Sequence, residues 1–552
     1  MKYSILFFLL PVLLFSQQYA DIVFTNAKIW TVDPSRPEAE AVAVINGRIA
    51  AVGSAAGIKK WIGKNTTVID VKKKRMLPGF IDNHTHFMTG GFQLQSVDLR
   101  TAKDEQEFAR IIGERAKARP DAWITGGDWD HDLWKSGKLP SKEMIDAVTP
   151  NTPVFVNRYD GHMALANSAA LKLAGITKAT PDPAGGTIVR DPKTGEPTGL
   201  LKDEAMSPLW ALVPAPSDED MLTAAKLALA EARKFGVTSI QDMTYSNGDR
   251  DIKIYRELQR RGELTARMNC VGYISNWKHL ALSGIQVPFG DDMVTLGPLK
   301  AFVDGSLGSS TALFSEKFLN EDTYGLPMDV VTDGRLERWA TSADSARLQL
   351  RVHAIGDSAN GLMLDMFDRI IRRNPTWDRR FRIEHAQHIH PKDFVRFKQL
   401  GVIASVQPYH AIDDGRWAIK RIGDERCKTT YPFRSFLDAG VKMCFGSDWT
   451  VAPLNPLLGV YAAVTRRTID GANPDGWYPE QRITVKEAIE CYTINNAYAA
   501  FEEHEKGSIT PGKLADLIIL SDDILTIDPV KIEDVRIEMT ILGGTIVHTA
   551  AR

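Results

Sequence analysis

Cysteine is scarce in this chain, with four in 552 residues. That excludes a disulfide scaffold, and a Cys-rich zinc or iron–sulfur site as the main chemistry. An excess of one charge is also lacking. Lys plus Arg is 67 and Asp plus Glu is 69, so the net charge is 67 − 69 = −2. This argues against a nucleic acid held by a general basic field. Nor does any apolar run reach the roughly 20 residues of a membrane span. The apolar run at residues 3–15 follows a Met1-Lys2 start and precedes the small Ser16. It reads as a secretory signal peptide, residues 1–16 with the cut between 16 and 20. The expected location is therefore periplasmic or secreted, with no stable membrane span after cleavage. Hydrophobic residues at 44% and charged residues at 25% exclude a disordered chain.

Both ends of the remaining chain read as β-structure. Residues 20–75 contain a hairpin signal at Asn46-Gly47, and residues 505–552 contain another at Gly543-Gly544. Together they predict one small β-sandwich built from both termini. Between them, residues 76–504 alternate buried-looking strand runs with helical stretches. Strands are expected at 77–82, 237–242, 266–273, 299–303, 349–353, 381–385, 402–407 and 442–446. Helices are expected at 221–235, 361–373 and 391–400 among others. Eight strand–helix repeats predict an α/β fold, a TIM-like (β/α)8 barrel. The first two strands lie about 150 residues apart, which predicts a large insertion after barrel strand 1, residues 87–216.

The chemistry concentrates at strand ends. His84 and His86 stand two apart in an extended run, so both point to one side and make half of a divalent-metal site. Three further runs end with a metal-competent side chain: His353, His385 and Asp448. In a barrel all such ends face one mouth. Lys300 lies inside an apolar run, where an ammonium is costly. Burial would make its amine nucleophilic enough to add carbon dioxide, giving a carbamate that could bridge two metals. Alternatively it reaches solvent or pairs with Asp304. Tyr409 and His410 follow the seventh strand, and Trp129 and Trp449 follow apolar runs; these four are expected to line the mouth. His162 is expected to contact a substrate carbonyl. His388 and His390 read as solvated loop residues. Cys270 and Cys444 read as buried; the state of Cys427 and Cys491 is open.

The stretches LPGFIDNHTH, LKAFVDGSLGSSTALF, VHAIGD, IEHAQ, GSDW and GSITPGKLADLIIL make the chain resemble the amidohydrolase superfamily over nearly its whole length. The nearest subgroup includes N-substituted formamide deformylases. The resemblance implies a metal centre of His84, His86, Lys300, His353, His385 and Asp448, with Lys300 carboxylated. It implies one or two Zn²⁺ ions, although other divalent metals suit the same donors. Asp448 would act as general base and then general acid. The implied reaction is hydrolysis of a non-peptide amide or formamide carbon–nitrogen bond by a metal-activated hydroxide. Esters, lactones or organophosphates are alternative substrates for the same site, and a non-catalytic binding relative is the alternative of another class. The implied partners are a small-molecule substrate and a second copy of the chain.

Overall fold

A computed structural model describes residues 18–550 except 119, 121–122, 160, 162, 184–185 and 244–249. The expected signal peptide and His162 lie outside the described residues.

Two sheets are built from the chain ends, and segments of both ends interleave in the second. One has the order Arg48–Gly53, Ala41–Ile45, Ile22–Thr25, Thr67–Asp70. The other has the order Thr545–Thr549, Ile537–Leu542, Leu517–Leu520, Arg75–Pro78, Lys28–Trp30, Glu38–Ala39. Phe24, Val42 and Val44 from the first sheet share an apolar core with Ile29, Leu517 and Ile541 from the second. Asn46-Gly47 and Gly543-Gly544 form two-residue turns with positive φ at both positions, the geometry that matches the right-handed strand twist.

Eight parallel strands follow in chain order: β1 (Phe80–Thr85), β2 (Val237–Asp242), β3 (Arg267–Cys270), β4 (Leu299–Phe302), β5 (Leu350–Ala354), β6 (Arg382–His385), β7 (Ile403–Val406) and β8 (Met443–Phe445). They form two ladders instead of one continuous ring. The third run splits at Val271, so that Arg267–Cys270 pairs with β2 while Gly272–Tyr273 pairs with β4. Between β8 and β1 a single bridge, Thr85 to Trp449, takes the place of a ladder. The run expected as one strand at 77–82 is also divided. Arg75–Pro78 pairs in the terminal sheet, and β1 begins after Gly79. The main-chain partner changes there: Gly79 N–H donates to Asp516, and Phe80 N–H to Gly236. A Cβ at Gly79 would lie 2.3 Å from the Thr238 hydroxyl, so only glycine fits this crossing.

A separate sheet, ordered Gly186–Arg190, Pro197–Asp203, Met163–Ala166, Val154–Arg158, Ile124–Trp129, lies between β1 and β2 in the chain. Helix Phe87–Gln95 precedes it and packs on helix Asp218–Lys234, where Gly91 meets the Ala224 carbonyl. The chemistry of Ser217 explains the second helix start: its hydroxyl accepts from Asp220 N–H while the Asp220 carboxylate accepts from Ser217 N–H. All four cysteines are buried and unpaired. Among the described residues no helix is long and apolar enough to cross a membrane.

Asp516 fastens the terminal sheets to the parallel strands. Its carboxylate accepts from Arg267 Nε and Nη2 at 2.7 and 2.8 Å and from Gly543 N–H at 2.9 Å. Burial alone would raise the Asp516 carboxyl, but the Arg267 guanidinium holds it below its ordinary value. The contribution of the pair is therefore complete above about pH 4 and is lost as pH falls through the depressed value. Replacing Asp516 with Ala leaves a buried guanidinium uncompensated. The expected cost is about 3–5 kcal/mol at neutral pH, measured as a lowered denaturant midpoint; a change under about 1 kcal/mol would refute the fastening role.

Candidate metal centre

The C-terminal ends of the parallel strands bring His84, His86, Lys300, His353, His385 and Asp448 into one cluster. Adjacent imidazole rings lie 5.8 Å apart for His84 and His86, 5.0 Å for His84 and His385, and 4.5 Å for His353 and His385. Asp448 Oδ1 is 3.3 Å from His86 Nε2 and 3.5 Å from His84 Nε2. The ligand atoms of His84, His86 and Asp448 lie within 4.8 Å of one another, as do those of His385, His410 and Asp448.

Hydrogen bonds select which ring nitrogen each histidine offers. His84 Nδ1 donates to Glu384 Oε2 at 2.7 Å, so Nε2 faces the centre. His385 Nδ1 donates to Gln407 Oε1 at 2.8 Å, which again frees Nε2. His353 does the reverse. Its Nε2 donates to the Gly305 carbonyl at 3.0 Å and leaves Nδ1 for a cation. Burial drives these rings to the neutral form: His353 is lowered to about 3, His84 is lowered, and His385 falls well below its usual range. Burial alone would raise Asp448, but the hydrogen bond with the His86 imidazole helps to hold it below the usual carboxylate range. Neutral imidazoles beside an ionised carboxylate are the donor set a divalent cation needs.

Lys300 is fully buried. Its Nζ lies 3.2 Å from His84 Nε2, and burial lowers its pKa to about 8. It neither reaches solvent nor pairs with Asp304. The Asp304 carboxylate instead accepts backbone N–H groups from Leu313, Ile355 and Gly356 at 2.8, 3.0 and 2.9 Å. It thereby ties the loop after β4 to the loop after β5.

Three expectations need correction. Trp129 is fully buried in the core of the inserted sheet, with Nε1 donating to the Val156 carbonyl at 2.9 Å. Trp449 is also buried and packs on Phe87 and Gly90, where a Cβ at Gly90 would lie 2.4 Å from the indole. His388 is buried, bonded to Thr430 at 2.8 Å and Gln387 at 3.0 Å, whereas His390 is exposed. Tyr409 is half-buried, and His410 joins the ligand cluster. Glu384 is the residue that motif reading missed. It is fully buried and also accepts from the Ser405 hydroxyl. Burial would raise it, yet His84 and Lys300 bring it down to about 2, so it is ionised. A cavity of about 1070 Å³ lies between the terminal sheets, lined by Lys28, Arg36, Glu38 and Asp523 among others, and contains none of this cluster.

The sequence profile of the amidohydrolase family matches residues 67–548. The chain belongs to the amidohydrolase family. It is 41% identical over 514 residues to Protein LONG AFTER FAR-RED 3 of Arabidopsis thaliana, covering 91% of this chain and 87% of that one. It is 28% identical over 544 residues to the N-substituted formamide deformylase of Arthrobacter pascens, covering 96% and 98%. Among solved structures, a metal-dependent hydrolase of Pyrococcus horikoshii matches with a TM-score of 0.76 at 27% identity, covering 92% of this chain and 99% of that one. This amidohydrolase-family chain is thus a metal-dependent hydrolase by family, with His/His/Asp groups able to hold the ion.

Glu384→Gln keeps the shape of the side chain but removes the charge that orients His84. Metal affinity is expected to fall about 10- to 100-fold, read by chelator competition, with the melting temperature little changed. Unaltered affinity would refute the orienting role.

Proposed function

We propose that this amidohydrolase-family enzyme hydrolyses the carbon–nitrogen bond of a small non-peptide amide or formamide at the mouth of a (β/α)8 barrel. The observation that carries the reading is the convergence of His84, His86 and Asp448 at the junction of β1 and β8, with donor atoms 3.3–3.5 Å from the carboxylate oxygen. The similarity to a formamide deformylase over almost the whole length supports the amide choice.

The donor chemistry fits one or two divalent ions, Zn²⁺ first. His84, His86 and Asp448 would hold one ion, His353 and His385 a second, and a carboxylated Lys300 would lie between them. A bound ion supplies a Lewis acid for the carbonyl oxygen and lowers the pKa of a water from 15.7 towards about 7. The chain's own residues do the rest. Asp448 is ionised and takes the proton of the attacking water. It then delivers that proton to the leaving nitrogen, so one carboxylate serves as base and acid. Glu384 keeps the His84 Nδ1–H engaged, and Gln407 does the same for His385. Tyr409, half-buried in the same helix as His410, lines the approach.

Asp448→Asn should fold normally and lose about 10²–10⁴-fold in turnover. The assay is a panel of N-formyl amines, cyclic amides and lactones under metal saturation. Near-normal turnover in Asp448→Asn would reject its proton-transfer role, and preferential lactone turnover by the parent enzyme would overturn the amide assignment.

A further inference from the structure

A buried histidine with no catalytic part to play satisfies both ring nitrogens, because an unpaired polar atom in the interior costs about 1–3 kcal/mol. His388 does this: Nδ1 bonds Thr430 Oγ1 and Nε2 bonds Gln387 Nε2. His410 does not. Its Nε2 is sealed from solvent and has no hydrogen-bond partner among the described residues. It points at Asp448 Oδ2, 4.0 Å away. This is the carboxylate oxygen that His84 and His86 leave free, since both of them approach Oδ1.

The backbone holds His410 in that pose. It lies in the first turn of helix Pro408–Asp414, where Pro408 fixes the entry and Ala411 and Ile412 are buried. His410 N–H donates to the Gln407 carbonyl at 3.2 Å, while the Gln407 side chain orients His385. One residue therefore sets the poses of both histidines. At the far end of the helix, Asp414 accepts from Gln387 at 3.1 Å and from Tyr431 at 2.5 Å, which anchors the helix to the loop after β6.

We propose that His410 is a metal ligand, joining His385 and His353 at the second cation position, where it faces Asp448 Oδ2. The inference rests on the metal-dependent reading above and adds a ligand to it. Its chemical class is a divalent transition ion that accepts imidazole and carboxylate donors, such as Zn²⁺ or Co²⁺. Tetrahedral Zn–N bonds of about 2.0–2.1 Å put ligand atoms about 3.4 Å apart, so the His410–Asp448 gap closes by a few tenths of an ångström on loading.

The test titrates chelator-stripped full-length protein with Co²⁺, read by visible absorption, with metal content counted by elemental analysis. His410→Gln, His410→Ala, His86→Gln and the buried control His388→Gln are compared with the parent, and melting temperatures check folding. The expected result is that both His410 variants bind the second equivalent at least 10-fold more weakly and change the Co²⁺ band, while His388→Gln titrates like the parent. Unchanged stoichiometry, affinity and spectrum in folded His410→Gln, with only KM raised, would make it a substrate contact and overturn the proposal. If His86→Gln weakens metal binding while His410→Gln does not, the metal-dependent reading stands and this inference alone fails. If the parent takes up no metal, both fail.

Discussion

Two main-chain hydrogen bonds bring the ends of the parallel strands together: Asp448 N–H to the His84 carbonyl at 2.7 Å, and His86 N–H to the Trp449 carbonyl at 2.6 Å. No ladder joins β8 to β1, so these bonds set the distance between residues at opposite ends of the eight-strand run. The Asp82 carboxylate reinforces them by accepting N–H from both His84 and Ser447, at 3.2 and 3.0 Å. Approach this close demands glycine nearby. A Cβ at Gly446 would lie 2.4 Å from Asn83 Oδ1 and 2.7 Å from the His84 nitrogen. The helix after β1 obeys the same constraint, because Gly90 makes room for the Trp449 ring. The ligand distances around Asp448 follow from these backbone contacts, which is why a metal centre can be assembled from residues so far apart in sequence.

Backbone strain marks the same places. His385, Ala386 and Asp448 are non-glycine residues at φ 71°, 40° and 58°. Such conformations cost about 1–3 kcal/mol each and persist where surrounding structure enforces them. Here they re-aim side chains. Regular strand alternation would send Glu384 and His385 to opposite faces. The left-handed turn at His385 lets both meet His84, one through its carboxylate and the other through its ring. The buried bonds to Gln407 and Glu384 offset the cost.

Strand order and most of the candidate ligand cluster were legible because both are local patterns. An apolar run ending in His, Lys or Asp needs no knowledge of its neighbours. The split at Gly79 was hidden, because what ends the terminal-sheet strand is a change of hydrogen-bond partner to Asp516 and Gly236, both far away in sequence. Trp129 and Trp449 misled for a related reason. An aromatic residue after an apolar run looks the same whether it faces a mouth or a core, and only the inserted sheet and Gly90 decide. Glu384 precedes His385 directly in the chain, and regular strand alternation hides that both can reach His84. His410 carried a usable signal: it follows Gln407-Pro408, a helix start directly after β7. That places it at the ligand-bearing ends without saying which atom lies opposite.

The interior beneath the centre is unusual in its charge. Lys300, Arg351 and Arg382 are fully buried, facing the carboxylates of Glu384 and Asp448. Among the described residues Arg351 bonds the neutral side chains of Gln241, Asn269 and Gln349. Arg382 bonds Gln241, and its Nε and Nη2 have no hydrogen-bond partner among the described residues. Three buried cations against two carboxylates is an arrangement in which adding a divalent ion would be strongly opposed. The proposed carboxylation of Lys300 would reverse the balance, turning a cation into an anion beside His84. These three side chains and two carboxylates would then carry two positive charges against three negative ones, and an incoming metal ion would meet attraction. The charge of this floor supports the carboxylation proposed for Lys300. Arg351, paired in register with Lys300 across β4 and β5, disfavours the ammonium and would favour a carbamate by the same Coulombic interaction.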